Sequence, residues 1–228
     1  STSSNSVYML LGGNARFSNS PLMMKDNGHG QFEKYSIMEG GDRGMYSFDG
    51  NRVHMSADAT YVGMAGNGGA LHKGGAIFMY KHNLATTTYE LDQKFTAEEM
   101  GITDFSNYLG DKFHMSRDGN WCTTGQHISD GSGLLFVFKR DPVTEKIAFF
   151  QDLSAEMDKY FMYTECPISN NGEFICMPTS KYSGTTSYLQ VKFFRMNAAG
   201  DAFELIQTME VTRSDTTLYA PTISRASM

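Results

Sequence analysis

Two histidines, His54 and His114, stand in matching contexts: Val53-His54-Met55-Ser56-Ala57-Asp58 and Phe113-His114-Met115-Ser116-Arg117-Asp118-Gly119. Imidazole titrates near neutrality and ligates borderline divalent metals, so two rings at one repeated position could hold a metal ion or an anion. The plainer reading makes them structural, bonding between neighbouring repeats. Pro167 and Thr222 fill the equivalent places in two further copies, so only two imidazoles are offered. Catalytic signatures are missing: the sequence holds no HExxH, GxSxG, Walker loop or strand-then-GxGxxG unit. Asn67-Gly68-Gly69 and Gly74-Gly75 join strands and do not open a helix. Glu98, Glu99, Asp104 and Asp111 share one connection, which does not by itself make the facing carboxylate pair of a glycosidase. The chain therefore reads as noncatalytic, with no cofactor required.

The elements that must position these histidines recur along the chain. A Ser followed by a tight turn occurs at Ser56, Ser116, Ser169 and Ser224, at spacings of 60, 53 and 55 residues, a period in the range of propeller blades. After each turn comes an aromatic with a small apolar run: Tyr61–Met64, Trp121–Thr123 and Phe174–Met177, with Val7–Leu11 as the N-terminal copy. A third strand ends in a cation each time, at Lys25, Lys81, Lys139 and Arg195. A fourth strand follows a polar hairpin: Phe32–Tyr35, Tyr89–Gln93, Ile147–Gln151 and Phe203–Gln207. These runs are short, rich in aromatic and branched residues, and bounded by Gly, Asn and Asp. The continuous apolar third strands predict sheets packed on both faces. Sustained helical periodicity is absent; Thr96 to Met100 could form one turn.

The expected fold is all-β: a four-bladed β-propeller of four-stranded antiparallel blades, one domain over residues 1–228. The blades are 1–38 with 213–228, 39–100, 101–157 and 158–212. The first strand of the split blade comes from Pro221 to Arg225, so pairing of Ala220–Ser224 beside Val7–Leu11 closes the ring and removes both open edges.

Composition agrees. The 228 residues are 40% hydrophobic and 13% aromatic, too rich for a disordered chain. The net charge of −6 argues against nucleic-acid binding, which needs a basic footprint. The apolar run Val7–Leu11 is too short for membrane insertion. Three cysteines, Cys122, Cys166 and Cys176, make neither a disulfide framework nor a CxxC pattern, and leave pairing of Cys166 with Cys176 open. Of the 16 methionines, Met55 and Met115 recur at one repeat position beside Ile168 and Ile223, which marks them as core fillers.

The stretch Leu109-Gly110-Asp111-Lys112-Phe113-His114-Met115-Ser116-Arg117-Asp118-Gly119-Asn120-Trp121, running on to Gly133-Leu134-Leu135-Phe136-Val137-Phe138-Lys139, resembles an FG-GAP-type repeat, the blade of integrin α-subunit propellers; WD40-like and kelch-like blades share much of it. Ser56 to Lys81 matches nearly as well. The resemblance implies a noncatalytic recognition role, often extracellular or at the cell surface. Integrin-type blades carry a calcium loop of alternating aspartates, whereas Asp26-Asn27-Gly28 and Asp130-Gly131-Ser132-Gly133 hold too few carboxylates for the six to eight oxygens calcium takes.

Long connections between blades, and between second and third strands, are expected on one face. They carry Arg16, Asp42, Arg43, Tyr46, His72, Lys73, Asp104, Tyr108, His127, Tyr160, Lys181 and Tyr182. Polar-aromatic loops on a rigid scaffold are where recognition usually lives, and a protein or glycan is the expected ligand. The alternatives are a metal or small ligand in the central channel at His54 and His114, and a structural subunit of a larger oligomer.

Overall fold

The structure is a computed structural model and describes residues 8–11, 22–38, 53–66, 74–102, 109–110, 112–127, 133–157, 165–183 and 186–213. It is all-β, with four antiparallel sheets, each a meander of consecutive strands. The first sheet holds β1 (Tyr8–Leu11), β2 (Leu22–Asp26) and β3 (Phe32–Ile37). The second holds β4 (Val53–Met55), β5 (Tyr61–Gly66), β6 (Ala76–Asn83) and β7 (Thr88–Thr96). The third holds β8 (Lys112–Met115), β9 (Trp121–His127), β10 (Gly133–Arg140) and β11 (Ile147–Asp152). The fourth holds β12 (Phe174–Ser183), β13 (Thr186–Met196) and β14 (Phe203–Arg213). Ser154–Met157 forms a single 3-10 turn, and no helix of the described residues is long and apolar enough to cross a membrane.

Each first-to-second-strand turn is built around the repeated serine. The Ser56 hydroxyl donates to Asp58 Oδ1 (2.6 Å) and accepts from the Tyr61 N–H (2.9 Å), while Asp58 Oδ1 also accepts from the Thr60 N–H (3.0 Å). Ser116, Asp118 and Trp121 repeat the arrangement, as do Ser169, Asn171 and Phe174. Ser56 and Ser116 are buried, where an unpaired hydroxyl would be costly; the turn satisfies donor and acceptor together. The aromatic that follows each turn lies directly across the ladder from the cation ending the third strand. Lys25 caps Tyr8, Lys81 caps Tyr61, Lys139 caps Trp121 and Arg195 caps Phe174, at 4.9–5.9 Å from the ring centroids. This recurrence explains why cation and aromatic keep their places along the sequence.

The sheets pack face to face in chain order. Alternation along β6 sends Phe78 and Tyr80 to a core shared with Met23 and Met38, and Ile77 and Met79 to one shared with Phe113, Phe136 and Phe138. Along β10, Leu135 and Val137 turn the other way, toward Ile168, Ile175, Met177 and Phe194. The middle sheets are thus buried on both faces, as the apolar third strands require. Neighbouring turns also join: the Ala57 N–H donates to the Arg117 carbonyl (2.6 Å) and the Arg117 N–H to Asn170 Oδ1 (3.1 Å). Gly172 has a positive φ of 65° and lies flat against the Trp121 indole of the preceding sheet, where a Cβ would overlap the ring.

Two features differ from the sequence reading. The first strand of the fourth sheet shrinks to a bridge between Ile168 and Ile175, with the Cys176 N–H donating to the Pro167 carbonyl (3.0 Å). Pro167 has no N–H to offer a ladder, which shortens the strand. The long connection expected between second and third strands of this sheet is instead a ladder from Phe174↔Arg195 to Ser183↔Thr186. Lys181 and Tyr182 therefore lie on β12 and not in a loop. The closing strand expected at Pro221–Arg225 lies outside the described residues.

If the serine turn and the glycine contact organise the stack, Ser116→Ala should lower unfolding free energy by about 1–3 kcal/mol in urea denaturation. Gly172→Ala should cost about 1–3 kcal/mol more than Gly200→Ala, because Gly200 shares the positive φ (75°) but faces open space. Equal costs for the two glycines would contradict the packing account.

Candidate functional site

The repeated turn fixes where each inner strand ends, and so where the residues just before it point. His54, on β4, and His114, on β8, stand two residues before their serines, and their rings meet edge to face at a centroid separation of 4.8 Å. His54 also abuts the edge of Phe113 (5.8 Å). The fourth sheet brings Pro167 to the equivalent place, but Glu165, two residues earlier, reaches the same spot. Its Oε2 lies 3.2 Å from His54 Nε2. One ligand atom each from His54, His114 and Glu165 falls within 4.8 Å of the others, and all three residues are half-buried. Three consecutive sheets thus contribute one ligand-bearing side chain apiece.

Burial pushes the His114 imidazole down to about 4, with the neighbouring His54 adding to the effect and Glu165 opposing it. Its ring is therefore neutral near pH 7, the form that ligates a metal. The Ile168 N–H donates to His114 Nδ1 at a long 3.4 Å, which leaves the proton of the neutral ring on Nε2. Taking up a cation replaces this weak hydrogen bond and the His54–Glu165 contact. Two imidazoles and one carboxylate suit zinc and similar divalent transition metals and suit calcium poorly, since calcium takes an all-oxygen shell. Zinc bonds of about 2.0–2.2 Å need ligand atoms roughly 3.4 Å apart. His54 and Glu165 stand 3.2 Å apart, already at that spacing, and His114 must move in to join them.

Asp26, in a loop with too few carboxylates for calcium, is engaged locally: its Oδ1 accepts from the Gly28 and Gly30 N–H groups (2.9 and 3.1 Å). Asp130 to Ser132 lie outside the described residues. Arg16, Asp42, Arg43, Tyr46, His72, Lys73, Asp104, Tyr108 and Tyr160 also lie outside them. His127 ends β9, paired with Gly133. Glu165 escaped the sequence reading because repeat logic pointed to Pro167 as the third position. Strand alternation held the signal: residues two and four before the serine share a face.

A second hollow, of about 450 Å³, opens between the third and fourth sheets beside Trp121, Lys139, Glu173 and Arg195. Its cations are engaged, Lys139 over Trp121 (4.9 Å) and Arg195 with Glu173 (2.9 Å). All three cysteines are buried thiols outside any disulfide, so Cys166 and Cys176 are not joined by one. Burial raises all three thiols, Cys122 to about 12. The hydroxyls of Ser56, Ser116 and Ser169 are spent within their turns. These groups are therefore poor nucleophiles.

No family model matches the chain, and no curated protein does. Among solved structures it is similar to a protein described as a candidate 6-phosphogluconolactonase from Bacteroides fragilis, with 13% identity over 83% of this chain and 52% of that one, and a TM-score of 0.49. A protein of the same description from Bacteroides uniformis shares 10% identity over 90% of this chain and 58% of that one, with a TM-score of 0.47. Prolyl oligopeptidase B from Galerina marginata shares 9% over 88% and 31%, with a TM-score of 0.42. The chain spans about half the length of the two Bacteroides proteins. Likenesses this distant say nothing of what it binds or does.

With no disulfide and every thiol buried, the native protein should leave all three cysteines unlabelled by an aromatic disulfide reagent, and release three thiols after denaturation without reductant. Release of one thiol on denaturation would show a Cys166–Cys176 bond.

Proposed function

We propose that this chain is a propeller-type binding scaffold that holds a divalent transition-metal ion at its inner rim through His54, His114 and Glu165. One observation carries the reading: three consecutive sheets converge one potential ligand each, within 4.8 Å. The propeller reading, with the four sheets as four blades, draws on the meander topology, the face-to-face packing in chain order and the gathering of serine turns. The contact of His54 in the second sheet with Glu165 leading into the fourth implies a narrow axis, which a small number of blades provides. The FG-GAP-like and WD40-like resemblance of the blades agrees with such a scaffold.

The role read here is binding; the buried serines and cysteines are committed or protonated and offer no nucleophile beside the site. Three protein ligands leave coordination positions for solvent or for a small polar ligand. A protein or glycan ligand on the long-loop side is compatible with this and rests on loop composition alone.

Isothermal titration of metal-free protein with zinc should show one ion per chain. His54→Ala, His114→Ala and Glu165→Gln should each weaken binding by roughly tenfold or more, while His29→Ala, in an exposed hairpin, leaves it unchanged. No stoichiometric binding, or binding indifferent to all three changes, would overturn the proposal.

A further inference from the structure

Two neighbouring wedges between sheets are built on one plan and closed differently. The residue after the third-strand cation is Arg140 in the third sheet and Met196 in the fourth, each across the ladder from the first residue of the outermost strand, Ile147 or Phe203. Arg140 reaches back between the second and third sheets. Its guanidinium lies 3.5 Å from the Tyr61 ring centroid, and its Nε donates to the Gly119 carbonyl (3.0 Å). Met196 has no guanidinium to reach back with. Between the third and fourth sheets a hollow of about 450 Å³ therefore stays open beside Trp121 and Gly172, the counterparts of Tyr61 and Gly119. His54, His114 and Glu165 take no part in its lining.

The polar groups around this hollow are unbalanced. Each side-chain oxygen on its walls already accepts a hydrogen bond. Glu173 accepts from Arg195 Nη2 (2.9 Å) and from Asn171 Nδ2 (3.1 Å). Asn171 Oδ1 accepts from the Ser169 hydroxyl (2.8 Å), and Asn197 Oδ1 from the Gly200 N–H (2.9 Å). Donors are in surplus. Lys139 is held over the Trp121 and Phe150 rings (4.9 and 5.4 Å), yet none of its N–H groups meets an oxygen among the described residues. Arg195 spends a single N–H on Glu173, out of the fork its guanidinium carries. Trp121 is 6% exposed, and its Nε1–H has no partner among the described residues. That nitrogen faces Gly172, where a Cβ would stand 2.0 Å from it. Two cations thus face one carboxylate that is already paired.

We propose that this hollow binds a small organic oxyanion, a carboxylate or a phosphate ester, with its charged end between Lys139 and Arg195 and its carbon part against Met196 and the indole edge. An anion satisfies the surplus donors and balances the charge of the walls, and charge-assisted N–H···O bonds are the strong ones. A free guanidinium would fit the space that Arg140 fills in the preceding wedge. It would find no unengaged side-chain oxygen, and would add a third positive charge. The hollow has the size of a small-molecule site, and the rings under Lys139 fix its ammonium before a ligand arrives.

Trp121 is the single tryptophan of the chain, so its fluorescence reports on the hollow directly. Benzoate and phenyl phosphate, titrated to about 10 mM, should give a saturable change in emission, matched by calorimetry, and should bind more tightly than acetate and inorganic phosphate. Whichever of the two binds tighter separates a carboxylate ligand from a phosphate one. Lys139→Gln and Arg195→Gln should each weaken binding roughly tenfold with an unchanged far-ultraviolet spectrum, while Lys34→Gln, exposed on the first sheet, leaves it unchanged. No saturation with either ring-bearing anion, or binding indifferent to both substitutions, would overturn the inference. So would acetate and phosphate binding as tightly as their ring-bearing counterparts, which marks a bare ion site, or methylguanidinium binding in place of the anions.

Discussion

The serine hydroxyl at the base of each described inner turn, buried in the second and third sheets and half-buried in the fourth, is the constraint from which the rest follows. It donates to an acidic or amide side chain two residues on and accepts a backbone N–H five residues on, so the turn closes in one geometry. That geometry sets the register of first and second strands, as in Val53↔Met64 and Phe113↔Thr124. It also places a residue of positive φ at the tip: Ala59, Gly119 and Gly172. In the third and fourth sheets this is glycine, and the glycine lies against the aromatic of the previous sheet, Tyr61 or Trp121. A local hydrogen-bond pattern thereby becomes a packing distance between sheets.

The outer edge has its own constraint: the outermost strand of each sheet carries a one-residue bulge, at Tyr35, Asp92, Phe150 and Ile206, and Gln93 and Gln151 beside two of these bracket the Ile147 and Phe203 backbones of the next sheet. Inner turns and these brackets fix both ends of the interfaces between the second and third and the third and fourth sheets, and the apolar side chains of β6 and β10 fill the space between. Arg140 shows how tightly: it is buried, its guanidinium lies 3.5 Å from the Tyr61 ring centroid, and its Nε donates to the Gly119 carbonyl (3.0 Å). Because the sheets are held at both ends, His54 on β4, His114 on β8 and Glu165 leading into the fourth sheet meet at one point although none is next to another in sequence.

Much of this was legible in the sequence. The serine spacing located the repeats, and the strand runs at Tyr61–Met64, Leu135–Lys139 and Phe203–Gln207 all fall within strands. His54 and His114 could be brought together on repeat position alone, and the structure does bring them together. The bulges could not be read, because Tyr35, Asp92, Phe150 and Ile206 have no side-chain chemistry in common; what they share is a backbone displacement. The long β12–β13 hairpin was hidden because Thr179 to Ser183 is polar and reads as a loop, while its stability comes from a backbone ladder to Thr186–Gln190. Glu165 was hidden by the Pro167 beside it, which broke the pattern that would have named it.

The rim site gathers these constraints into one chemical arrangement: a neutral, half-buried imidazole, a second imidazole and a carboxylate already at ligand spacing. Crystals grown with zinc and measured on either side of the zinc absorption edge test the claim most directly. The account predicts one anomalous peak per chain within bonding distance of His54, His114 and Glu165, with the Ile168 N–H contact to His114 lost. Absence of a peak there, with His54 still hydrogen-bonded to Glu165, would contradict it.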